Sequence, residues 1–159
     1  MMLLVMQAVA KIPEMSGDNC SAVPSEYLKS ISTKSTVTWY LLDAISEEDD
    51  FFCGVAEDLA SKEDVDKNRI SAIVDALTSP ESFVVKDFVK ESMFLADVAV
   101  QFVKGKDTVV VFYSFYCDLI RFYKNGNYVE LDGENVRAAI IDGALANFPK
   151  DKWLRRIKK

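Results

Sequence analysis

The pair Asn125-Gly126 constrains the fold more than any other feature, because it lies between two runs in which apolar and polar residues alternate. Both residues tolerate the positive φ angles of a type I′ turn, so the pair predicts a tight β-hairpin. The register of that hairpin pairs apolar residues on one face, Ile120 with Leu131 and Phe122 with Val129. It pairs polar and aromatic residues on the other face, Arg121 with Glu130 and Tyr123 with Tyr128.

A second turn signal, Gly105-Lys106, separates the β-rich residues 98–104 from residues 107–113. A two-residue loop that begins with glycine fits a type II′ turn. That turn pairs two sets of residues, Lys104 with Asp107 and Phe102 with Val109. Between the hairpins, residues 114–118 either turn the chain or continue one bent strand. Both alternatives predict an antiparallel meander of about four strands.

Helical signals flank this meander in the sequence. Apolar residues recur at helical spacing at Ile70, Ile73, Val74 and Leu77, and Ser61 with Asp64 resembles a capping box, so we predict a helix from about residue 62 to 77. Asp132-Gly133-Glu134 predicts the start of another helix, which Pro149 ends. The remaining signals are a short helical turn at 25–29, a strand at 36–42, and residues 79–93, which fit helix and strand about equally. We therefore predict one α+β domain over residues 1–159, an antiparallel β-meander with flanking helices.

The absence of histidine excludes most catalytic and metal-site templates, because histidine is the commonest general base near neutral pH and the commonest metal ligand. Cys20, Cys53 and Cys117 are odd in number and widely spaced, so they form neither a CxxC site nor a complete set of disulfides. Cys117 lies beside Asp118, but a nucleophilic thiolate would need a nearby base or cation, for which only Arg121 or a lysine is available. A buried structural thiol is the favoured interpretation. We expect no catalytic centre, no metal site and no cofactor.

Charge is distributed unevenly along the chain. The net charge is −6, composed of −11 over residues 1–149 and +5 over the basic C-terminal tail, residues 150–159. An acidic chain lacks the excess Lys and Arg that bind phosphate backbones, so we expect no nucleic-acid partner. No run reaches the ~18 apolar residues of a transmembrane helix. The tail could contact anionic lipid, RNA or the protein's own acidic surface, and we favour the last.

Residues 1–10 resemble the hydrophobic part of a secretory signal that ends in Ala8-Val9-Ala10. The basic residues that usually precede such a segment are absent, so a core strand or helix is the alternative. The first interpretation predicts export to the periplasm or the extracellular space, and the second predicts a cytoplasmic protein.

One stretch of sequence resembles a known group of proteins. The run Ser114-Phe115-x-Cys117-Asp118 is followed by Phe-Tyr-Lys-Asn-Gly at residues 122–126. This pattern is similar to that of an uncharacterised group of small bacterial proteins, which are often exported. The resemblance covers roughly residues 80–150 and implies no activity.

Function is expected to reside on the polar face of the second hairpin. Tyrosine and arginine supply contact area and directional hydrogen bonds, and both are enriched at binding hot spots. A non-catalytic protein- or peptide-binding domain therefore predicts one exposed cluster, Arg121, Tyr123, Tyr128 and Glu130. Coverage of that face by a helix or by the tail is the alternative. The second functional hypothesis is an inhibitor-like acidic protein that neutralises a basic partner through residues 43–66. The third is a carboxylate-based enzyme.

Overall fold

The computed structural model describes residues 23–42, 59–83, 90 and 92–159. These residues form a six-stranded antiparallel sheet in the order β2-β1-β3-β4-β5-β6. The strands are β1 (Thr36–Leu41), β2 (Ala60–Asp64), β3 (Val98–Lys104), β4 (Asp107–Ser114), β5 (Leu119–Lys124) and β6 (Asn127–Asp132). The α+β fold class is confirmed. The sheet is two strands wider than the predicted meander, because β1 pairs with β3 and β2 pairs with β1.

The helices cover one face of this sheet and enclose the main core. They are α1 (Ser25–Leu28), α2 (Lys67–Thr78), α3 (Arg137–Asn147) and α4 (Lys152–Ile157), with 3-10 turns at Pro80–Ser82 and Glu134–Val136. Trp39, Phe102, Tyr113 and Phe122 are the largest buried side chains that the strands contribute to this core. The apolar residues that alternate along the strands and those that recur at helical spacing in α2 and α3 face this one core. The sheet and the helices therefore bury each other's apolar side chains.

Both hairpins have the predicted register. Lys104 pairs with Asp107 and Phe102 with Val109, and the second hairpin pairs Phe122 with Val129 and Arg121 with Glu130. The turns adopt the positive φ that their sequences favour, 62° at Gly105, 51° at Asn125 and 77° at Gly126. Residues 115–118 turn the chain rather than extending a bent strand, and Asp118 adopts a φ of 53° there.

The predicted start of the second helix is wrong. Residues 60–64 form β2, and α2 begins at Lys67 instead of near residue 62. The cap is Asp66, whose side chain accepts hydrogen bonds from the amides of Asn68 and Arg69, so Ser61 and Asp64 form no capping box. Four of the five β2 residues are exposed, so this strand lacks the apolar alternation by which sequence patterns identify strands.

The basic residues 150–159 pack on the rest of the chain, as expected, but mainly through apolar contacts. Leu154 is fully buried and Ile157 packs against the main core. An ion pair, Lys158 Nζ to Asp142 Oδ1 at 2.8 Å, joins the residue that follows α4 to α3. In the part of the chain that the structure describes, no helix is long and apolar enough to cross a bilayer.

Several sequence predictions concern residues outside the described ranges. These are the signal-like residues 1–10, the acidic residues 43–58, and residues 84–89 and 91 of the ambiguous 79–93 stretch. Around the last gap, Pro80–Ser82 form a 3-10 turn, and residues 92–97 precede β3 without regular secondary structure.

Candidate functional site

The four residues predicted as a binding site lie together on one face of the β5–β6 hairpin. Arg121 pairs with Glu130 and Tyr123 with Tyr128 across the two strands. The Arg121 Nε lies 2.5 Å from Glu130 Oε2, and the two tyrosine rings stack with centroids 4.9 Å apart at 29°. These residues and Phe94 are called the hairpin face below. Their side chains support one another, so the face presents an ordered surface.

The hairpin face is partly buried rather than fully exposed. The Arg121 and Glu130 side chains are 21% and 25% exposed. The Arg121 guanidinium carbon lies 4.1 Å from the centroid of the Phe94 ring and 4.8 Å from that of Tyr128. Such cation–π contacts hold the charge in place between two aromatic rings. Phe94 packs over Arg121 and lies in the segment before β3. It therefore belongs to neither a helix nor the C-terminal tail.

Tyr123 and Tyr128 differ in their packing. Tyr123 borders a small apolar cluster on this side of the sheet, and its ring meets Phe112 edge-on at 5.1 Å between centroids. Tyr128 lies on the outer strand and contacts Tyr123 and Arg121. We therefore assign Tyr123 mainly to packing, and Tyr128 to the surface that a partner could reach.

The backbone of β6 forms one edge of the described sheet. Lys124 and Asn127 flank the two-residue turn and form a hydrogen-bonded pair, so hydrogen-bonded pairs alternate from there along β6. Tyr128 and Glu130 then occupy non-hydrogen-bonded positions, and their amide and carbonyl groups point away from β5. Among the described residues, none forms a backbone hydrogen bond with these outward groups.

The opposite edge, β2, has a different character. Its exposed residues include Lys62 and Glu63, and charged side chains on an edge discourage pairing with another strand. The β6 edge carries Tyr128, Val129 and Leu131, and its two acids are held in ion pairs, Glu130 with Arg121 and Asp132 with Lys90. Of the two edges, β6 is the one suited to accept a further strand.

A second polar cluster stabilises the β4–β5 turn. The Tyr113 hydroxyl lies 3.0 Å from both Asp118 Oδ1 and the Gly133 carbonyl oxygen. The Arg137 guanidinium donates to Asp118 Oδ1 and, at 3.1 Å, to the Phe115 carbonyl. Burial raises the pKa of the Tyr113 hydroxyl above its ordinary value of 10.0. These contacts hold Asp118 in its positive-φ conformation, which is a structural role.

Cys117 is a partly buried free thiol in the same turn. Arg121, which the sequence offered as a possible cationic partner for it, instead pairs with Glu130 on the hairpin face. Nearby, Asp97 is buried and accepts a hydrogen bond from the Phe115 amide at 2.7 Å. Burial raises the pKa of Asp97, and this amide bond partly offsets the effect.

Sequence reasoning missed Phe94, Tyr113 and Arg137 as contributors to these clusters. Arg137 meets Asp118 from a different element, across 19 residues of sequence. No local motif signals such a contact. Phe94 lies in a stretch without regular periodicity, so nothing in the sequence places it over Arg121.

Two of the described acids of the 43–66 segment, Asp64 and Asp66, have partners within the fold. Arg69 binds Asp64 at 3.0 Å and Asp66 at 3.4 Å, so these carboxylates are already compensated. Within the described ranges, no group of three or more Cys, Asp or Glu side chains is placed to hold a metal ion.

No protein-family model, no curated protein and no solved structure matches the chain.

Proposed function

We propose that this protein is a non-catalytic domain that binds an extended peptide segment of a partner protein along β6. The observation that carries the proposal is the outward backbone of Tyr128 and Glu130 on the less charged edge of the sheet. An added strand gains main-chain hydrogen bonds for affinity, and its alternate side chains provide specificity.

The hairpin face supplies the side-chain part of this recognition. Residues that alternate along a docked strand project to the same side as Tyr128 and Glu130. Tyr128 offers an aromatic surface, and Glu130 offers carboxylate oxygens beside the Arg121 guanidinium. We expect the preferred peptide to carry an apolar or aromatic residue beside Tyr128 and a hydrogen-bond donor beside Glu130.

Hydrogen exchange tests the edge directly. In the free protein, the Val129 and Leu131 amides should exchange slowly because they donate to β5, whereas the Tyr128 and Glu130 amides should exchange rapidly. The probe is a peptide selected from a random phage-displayed library on the full-length chain. Its binding should slow exchange at Tyr128 and Glu130 by at least tenfold, as measured by nuclear magnetic resonance. Slow exchange at both amides in the free protein would show that this edge is already occupied.

Variants at Tyr128 separate recognition from folding. Tyr128→Lys should weaken peptide binding by at least tenfold, because it removes the ring and adds a charge to the edge. Tyr128→Phe keeps the ring and is the matched control, which should bind within about threefold of the wild type. Calorimetric titration measures both, and circular dichroism checks that their melting temperatures agree. Equal binding by all three proteins, or failure of any peptide to be enriched, would refute the proposal.

A further inference from the structure

Two residues with exposed aromatic side chains lie near the buried residue Asp97. Tyr116 is 78% exposed and directly follows Phe115, whose amide donates to Asp97. Trp153 of α4 is 39% exposed. Burial raises the pKa of Asp97, and the Trp153 side chain lies close enough to that carboxylate to lower its pKa against this larger effect. Because Asp97 immediately precedes β3, both residues lie at the end of the sheet where that strand begins.

The cations of α4 lie beside these rings. Leu154 and Ile157 hold the helix on the core, which leaves Lys152, Arg155 and Arg156 exposed on a fixed scaffold. The Arg156 guanidinium carbon lies 4.9 Å from the centroid of the Trp153 ring. No carboxylate of the described residues forms an ion pair with these three cations. Asp151 caps the helix by accepting from the Leu154 amide at 2.8 Å.

We propose that Tyr116, Trp153 and the exposed cations of α4 form a surface that binds the headgroups of an anionic phospholipid membrane. Tryptophan and tyrosine are favoured at the boundary between water and hydrocarbon, where their rings are partly buried and their polar atoms remain hydrated. Clustered Lys and Arg side chains are attracted to the negative potential of such a membrane. The exposed cations and the aromatic residues lie at the same end of the sheet, so both favour an anionic membrane as the partner.

The acidic remainder of the chain limits how this surface can dock. Residues 1–149 carry a net charge of −11, which an anionic membrane repels. Electrostatic interactions between exposed charges are largely screened beyond about 8 Å at physiological ionic strength. The protein should therefore bind in one orientation, with α4 toward the membrane, and the binding should weaken steeply as salt is added.

The depth of contact follows from the packing of α4. The buried side of this helix, Leu154 and Ile157, already belongs to the protein core. Insertion of the helix into hydrocarbon would require it to leave that core. The contact is therefore superficial and reversible, with Trp153 and Tyr116 at headgroup level.

Vesicle co-sedimentation of the full-length chain tests the proposal. Vesicles of phosphatidylcholine with an equal amount of phosphatidylglycerol should bind the wild type, and pure phosphatidylcholine vesicles should not. The double variant Arg155→Glu/Arg156→Glu should lose at least tenfold in affinity. The control, Lys104→Glu/Lys106→Glu, makes the same charge change at the exposed β3–β4 turn, the opposite end of β3, and should bind within about twofold of the wild type.

Tryptophan fluorescence gives a second measurement. Trp39 is 1% exposed, so quenching by acrylamide reports mainly on Trp153, and vesicle binding should reduce that quenching. The proposal is overturned if both double variants bind vesicles equally well or if pure phosphatidylcholine binds as tightly. It is also overturned if RNA or an acidic peptide protects Trp153 while the vesicles do not. Unchanged melting temperatures of both variants show that the fold is intact.

Discussion

Replacing Gly143 with alanine is expected to lower the free energy of unfolding by roughly 2–3 kcal/mol, the cost of overpacking a core. A Cβ atom at this position would lie 2.3 Å from Trp39 Cζ2 and 2.4 Å from Cη2. Trp39 is fully buried on β1, so its ring has little room to move. The helix α3 would have to shift away from the sheet. Helix propensity alone predicts the opposite effect, an increase of about 1 kcal/mol in the free energy of unfolding, because alanine forms helices better than glycine.

Urea denaturation distinguishes these outcomes. The control is Ala146→Gly, an exposed position of the same helix, where the loss should be close to the propensity difference of about 1 kcal/mol. Trp39→Phe removes the ring atoms nearest the new methyl group, so Gly143→Ala should cost less in that background. A stabilised Gly143→Ala protein would show that α3 does not pack against Trp39 as described.

Replacing Asp64 with alanine is expected to lower the free energy of unfolding by about 3 kcal/mol. This value is at the lower end of the range for breaking a buried ion pair, because the partner Arg69 is partly exposed. The Asp64 carboxylate accepts from Arg69 Nη2 at 3.0 Å and from Asn147 Nδ2 at 3.1 Å. It thereby links β2 to α2 and α3. Asp75→Asn, at an exposed position on α2, is the surface control and should stay within about 0.5 kcal/mol of the wild type.

The contribution of Asp64 should also depend on pH. Burial by itself raises the pKa of Asp64, but hydrogen bonds from Arg69, Asn147 and the Asp66 amide lower it overall from its ordinary value of 3.8. A lowered folded-state pKa means that the stabilisation is present above the unfolded-state pKa and is lost as pH falls through the folded-state value. The stability gap between wild type and Asp64→Asn should be constant above about pH 5 and shrink below about pH 4. A gap that does not change down to about pH 2 would contradict this role.

Local sequence patterns were sufficient to predict the β3–β6 meander and its two faces. Asn125-Gly126 and Gly105-Lys106 specify turns through their own backbone preferences, and each turn sets the register of the strands beside it. Apolar residues alternate along β5, so Phe122 faces the core and Arg121 faces the opposite side. A one-residue slip in register would exchange the two faces, so burial of the apolar residues fixes the register. The four residues of the predicted site therefore came together through interactions that span about ten residues of chain.

The outer strand β2, the packing of Phe94 over Arg121 and the contact of Arg137 with Asp118 all depend on residues that are distant in sequence. β2 has no apolar pattern of its own and forms because its backbone pairs with β1. Asp64 and Asn147 are separated by 83 residues, and their contact exists only after the sheet and α3 have packed together. Local sequence encodes turns and periodicity, whereas such partners are selected by burial and hydrogen bonding across the whole core.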